Sequence, residues 1–199
     1  MKDIWDYLKG LFRQASESSA ANPYLHEVIH RSEADMQAFR AWQGSLRHRR
    51  ILDWLHDQYA VWQVLPDDVD PAVDFLHTPS SKGFAIHLHR TDYSRQELTF
   101  LLDHFRDRVC SLDYKVQLSD TRSWTNTDRV ETVERHYLKP RPAWSENRRF
   151  DQKFGNITLE LVLHDEKPQL FKCRANCYND RLYSDAQAFP QLMQALLTG

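Results

Sequence analysis

"GFAIHLH", residues 83 to 89, decides the fold. Phe84, Ile86 and Leu88 fall on alternate positions, with Ala85, His87 and His89 between them. A period of two is the mark of a strand with one buried face and one open face. Before Pro79 the spacing is helical instead. Ile4, Trp5, Leu8, Leu11 and Phe12 predict an amphipathic helix, and "ASESSAA" after it reads as a linker. Asn22-Pro23 then offers an N-cap with proline at the first helical position. From there Leu25, Val28, Ile29, Met36, Phe39, Trp42 and Leu46, then Leu52, Leu55, Tyr59 and Trp62, predict one long kinked helix or two helices meeting near 44 to 50. "DDVDPAVDFL", with Asp70 before Pro71, predicts a short helix.

After residue 89 the pattern alternates between the two periods. Ser94-Arg95-Gln96-Glu97 is a capping box, and its helix carries Leu98, Leu101, Leu102, Phe105 and Val109 on one side. "LDYKVQLS" and "DRVETVERHYL" read as strands, and "FGNITLELVLH" with "LFKCRANCY" as a hairpin turning between Asp165 and Pro168. A last helix presents Phe189, Leu192, Met193, Leu196 and Leu197, with Pro190 expected to shorten or kink it. Strands joined by short turns pair antiparallel, so the expected class is α+β. The expected order is N-terminal long helices, then a roughly five-stranded antiparallel sheet in β-α-β-β-β-β-α order with two helices on its apolar face. Residues 1–78 read as a helical region and 79–199 as the sheet domain, separate or joined in one compact unit.

Composition excludes several function classes. The 199 residues include six Trp, eight Tyr and ten Phe, enough to build a core without metals or disulfides. Formal net charge is −2, so no bulk field draws the chain to nucleic acid or an anionic membrane. Five glycines leave no phosphate-binding glycine loop. The three cysteines, Cys110, Cys173 and Cys177, fit thiols in a reducing cytoplasm better than a disulfide framework. No segment is apolar for long enough to span a bilayer.

Two short motifs carry a chemical reading. His26-Glu27-Val28-Ile29-His30 resembles the motif of zinc peptidases, which hold the metal with two imidazoles one helical turn apart and use the intervening Glu as base. The resemblance implies a metal-dependent hydrolase with His26 and His30 as ligands and Glu27 as general base. The chain departs from that family's pattern in having no sheet before the motif and Arg31 just after it. A catalytic zinc also needs a third protein ligand, and none is evident. His87-Leu88-His89 resembles the metal motif of single-strand endonucleases with a catalytic tyrosine, which implies a nuclease using both imidazoles.

The function expected from elimination is non-catalytic: a cytoplasmic binding, adaptor or chaperone-like accessory protein with no cofactor. Its partner would be another protein, or a second copy met through the N-terminal helices. Placing each strand's apolar residues inward leaves His87, His89, Lys115, Gln117, Glu160, His164, Lys172, Arg174 and Tyr178 as the expected binding surface. The same alternation puts Leu118, Cys173 and Cys177 inward.

Overall fold

The computed structural model describes residues 24–64, 72–78, 80–126, 128–141, 154–177 and 188–198. Among the described residues seven strands form one antiparallel sheet: β1 Leu25–Val28, β2 Val73–His77, β3 Ser81–His87, β4 Tyr114–Asn126, β5 Arg129–Pro140, β6 Asn156–His164 and β7 Lys167–Asn176. Their order across the sheet is β1-β4-β5-β6-β7-β3-β2. The described helices are α1 Glu33–Gln43, α2 Leu46–Val64, α3 Arg95–Ser111 and α4 Ala188–Leu197. The predicted helix over residues 1–15 and the predicted surface residue Tyr178 lie outside the described residues.

The sheet is larger than expected because two segments read as helix are strands. Leu25–Val28 pairs with the far half of β4, Leu25 opposite Ser123 and Val28 opposite Asp120. β4 runs for 13 residues, and its outer backbone groups need a partner that local helix propensity cannot supply. The helix starts later, at Ser32, whose hydroxyl accepts from the Asp35 amide while the Asp35 carboxylate accepts from Ser32. Likewise, Val73–His77 of "DDVDPAVDFL" pairs with β3, and Phe75 sits opposite Phe84. Of the two alternatives the spacing left open, two helices form: α1 ends at Gln43, and α2 begins at Leu46. Residues 24–78 therefore add two strands and two helices to the sheet and core that follow.

α3 lies across β4, β5, β6 and β7, with α4 and α1 packed against it. Leu98, Leu101, Leu102, Phe105 and Val109, its predicted stripe, are all buried. Phe105 meets Phe84 of β3 and Phe171 of β7 edge-on, which fixes the inner face of the sheet. Ile157, Leu159, Leu161 and Leu163 of β6 and Cys173 and Ala175 of β7 complete that face. Pro190 falls in the first turn of α4, where its missing N–H has no helical partner to lose. Gly83 is required where β3 crosses β7, since a Cβ there would collide with the Cys173 carbonyl.

Two face assignments change. The β4–β5 register shifts between Val116 and Leu118, so the bulge at Gln117 turns Leu118 to the outer face, opposite Tyr137. β3 ends at His87, and Leu88–Arg90 is a 3-10 turn. Cys173 is buried as expected, and Cys177, just past β7, is only partly so.

Candidate functional site

The outer face of the sheet is built by register. Asp120 sits opposite Arg135, Arg135 opposite Glu160, and Glu160 opposite Lys172, one row of alternating charge across four strands. The next row is apolar in its middle: Arg122, Val133, Val162, Leu170 and His87. Opposite charges directly across a ladder attract, so the charged row fixes strand order while remaining partly reachable by solvent. Val133 and Val162 are buried beneath their long-chained neighbours. Among the described residues, the helices pack on the other face.

Asp120 is the anchor of this face, with a side chain that is 0% exposed. Arg135 grips both its oxygens, Arg122 Nε donates at 2.6 Å, and His26 Nε2 lies 2.8 Å away. Burial alone would raise its pKa; the hydrogen bonds from Arg135 and Arg122 more than reverse that and hold it below the usual value.

A second ionic network lies on the inner face, between α3 and β5. Asp103 receives Arg31 Nε at 2.8 Å and Arg106 Nη1 at 2.7 Å, and His136 Nε2 is 3.0 Å away. On the other side of the imidazole, Ser119 Oγ is 2.7 Å from Nδ1. Burial pushes the Asp103 carboxyl up, and the bonds from His136 and the two arginines bring it below its ordinary value. Glu134 accepts from Arg95 and Thr99 of α3, and Arg95 also pairs with Glu166 in the β6–β7 turn. Ser119, His136 and Asp103 are linked in the order of a nucleophile relay. The imidazole is nevertheless 0% exposed and Asp103 is occupied by two guanidiniums, so a substrate has no approach to the imidazole. The arrangement ties β5 to α3.

The zinc-type motif does not form the geometry it requires. His26 and Glu27 lie on strand β1, and His30 lies in the exposed segment after it, so the two imidazoles are not one helical turn apart. His26 is directed to Asp120 instead. Among the described residues no group of three His, Cys, Asp or Glu side chains could hold a metal ion. His87 and His89 do not share a strand face either. His87 bonds Asp74 at 2.6 Å, and His89 belongs to the 3-10 turn that lines a surface pocket with Trp54, Arg90 and Tyr93.

Of the expected binding surface, His87, Lys115, Glu160, His164, Lys172 and Arg174 do occupy outer-face positions, and Gln117 is exposed in the bulge. Arg135, Asp120 and Arg122, the best-connected outer residues, were not among those expected. Their signal is the alternation of Glu131, Val133, Arg135 and Tyr137, which mixes charge with apolar side chains on one face. It becomes readable only once β4 and β6 are aligned beside β5.

The fold and site together define a single-sheet α+β protein with helices on one face and a charge-patterned ladder on the other. Compared with known protein families, curated proteins and solved structures, the chain matches none.

Proposed function

We propose that the protein works by binding another protein, without catalysis, through the outer face of its sheet. The observation that carries this reading is the pair of adjacent rows: Asp120–Arg135–Glu160–Lys172 charged, and Val133–Val162–Leu170 apolar. The partly exposed Arg135, Glu160 and Lys172, with Leu170 beside them, supply orientation and contact area over the buried Val133 and Val162, as at a specific interface. Strand β1 adds a second route at the sheet's edge. Its residues are exposed, with Leu25 at 57% and Val28 at 54%, as is Tyr24 just before it, and an edge strand can accept an extended partner segment. No helix among the described residues is long and apolar enough to cross a membrane. The cysteines are unpaired, which supports a reducing compartment such as the cytoplasm as the place of work.

The test is affinity capture with the full chain against a variant carrying Lys172→Glu and Arg174→Glu, after circular dichroism has shown equal folding. Partners retained by the wild type and lost by the variant support the reading. An unchanged set of partners across both proteins refutes it.

A further inference from the structure

A cavity of about 630 Å³ opens between α2, the residue before β2, the Leu88–Arg90 turn and the loop leading into α3. Small-molecule sites are of this size, roughly 300–1,000 Å³. Trp54 and Tyr93 form one corner of it, with ring centroids 6.1 Å apart and planes at 70°. Both side chains are only partly buried, which leaves aromatic surface for a ligand. Ala72 lines the cavity too, and its lone methyl fills little of the space.

The polar groups around the cavity are unbalanced. Asp92 supplies a carboxylate, but Arg47 Nη1 donates to it at 3.1 Å and Arg47 Nη2 to the Asp92 carbonyl at 2.8 Å. The Asp92 side chain is also 82% exposed, so water and salt screen its charge. The Thr91 hydroxyl donates to the Leu88 carbonyl. What remains is rich in donors: the Trp54 indole N–H, the Tyr93 hydroxyl, the His89 imidazole and the Arg90 guanidinium have no hydrogen-bond partner among the described residues. His89 meets only the ring of His87, with centroids 5.9 Å apart. Arg47, 5.1 Å from the Tyr93 ring centroid, is committed to Asp92 and Glu97, so Arg90 is the one free guanidinium lining the cavity.

Unmet donors around an aromatic corner call for an acceptor-rich ligand with a flat apolar body. Arg90 repels a cation. A phosphate dianion would carry a second charge with Asp92 nearby and no second guanidinium to meet it, whereas a planar guanidinium fork matches the two oxygens of a carboxylate. We propose that this cavity binds a small aromatic monocarboxylate, its ring against Trp54 and Tyr93 and its carboxylate on Arg90, with His89 as a further donor. None of these residues belongs to the two outer-face rows, so the site operates apart from the surface assigned to a protein partner.

The test is an NMR titration of the full chain with benzoate, cinnamate and naphthoate. At least one should saturate a single site with a dissociation constant on the order of 1 mM or tighter. The matching amides keep the ring and lose the charge, and should bind about tenfold more weakly or worse. Acetate, which has the charge and no ring, should not saturate the site. The Trp54 indole N–H should shift ahead of those of the other five tryptophans. Arg90→Gln, at an exposed position, should leave the fold intact and bring acid and amide to equal affinity. Trp54→Leu should weaken both, and where that variant unfolds the wild-type indole shift decides the same point. Any one of four results overturns the assignment: no saturable site for any of the three acids, amides that bind as well as the acids, shifts centred on another tryptophan, or a preference for the acid that survives Arg90→Gln.

Discussion

Arg135 and Asp120 face each other across β5 and β4, and two guanidinium nitrogens, Nε and Nη2, donate to the two carboxylate oxygens at 3.0 Å each. A planar fork on a fully buried carboxylate is a strong ion-pair geometry. Removing one partner leaves a buried charge only partly met by Arg122 and His26. Arg135→Ala should therefore cost roughly 3 kcal/mol, read as a fall in the urea midpoint at unchanged slope. The double variant Arg135→Ala with Asp120→Ala should recover part of that loss. If the single substitution costs under about half a kcal/mol, the pair is not the anchor described above.

Ser119 tests the other reading of the inner network. Its hydroxyl contacts His136, but both imidazole nitrogens are engaged inside the protein and the ring is sealed. Fluorophosphonate probes should leave Ser119 unlabelled, and Ser119→Ala should cost only about 1 kcal/mol of stability. Covalent labelling of Ser119 by the probe would show that the network opens to substrates and that the protein is a hydrolase.

Much of this fold was legible because its central elements are locally consistent. α3 has a capping box, a buried stripe and an acidic first turn that all point to a helix, and β6 and β7 alternate cleanly. The misread segments are those whose structure is imposed from outside. Leu25–Val28 carries residues that a helix stripe would also accept, and only the edge of β4 makes it a strand. The Gln117 bulge reverses Leu118 with no glycine or proline to announce it. Site legibility follows the same line. Lys172 and Arg174 stand out by alternation within their own strand, whereas the partnership of Asp120 with Arg135 depends on register between two strands.

Gly83 gives a sharp test of the sheet's interior spacing. It lies opposite Arg174 in the β3–β7 ladder, where an added methyl would meet the Cys173 backbone, which cannot swing aside as a side chain could. Gly83→Ala should destabilise by about 2 kcal/mol through overpacking, although alanine favours most backbones over glycine. A thermal midpoint equal to or above the wild type would mean that β3 and β7 are farther apart than described.

The buried histidines set how stability responds to pH. His104 is held at about 4 against an ordinary 6.5, and His48 is lowered too, so the unfolded chain takes up protons that the folded one refuses. Stability tied to these groups is complete above the unfolded value and is lost as pH falls from about 6.5 towards 4. For His104 the full loss is roughly 3 kcal/mol, at 1.36 kcal/mol per pKa unit. The surroundings favour the neutral form: burial, Arg108 and His48 oppose a charge on His104, burial and Arg49 oppose one on His48, and against them stand only the Leu196 carbonyl at His104 and the Gln43 carbonyl at His48. Asp103 and Asp120 act in a lower window, since their depressed values withdraw stability only as pH falls below the ordinary carboxylate range. Urea unfolding between pH 8 and pH 3 should thus show two successive losses, and His104→Gln should flatten the first while leaving the second. A wild type whose stability is level from pH 7 to pH 4.5 would show that the imidazole pair is not shut away from protons.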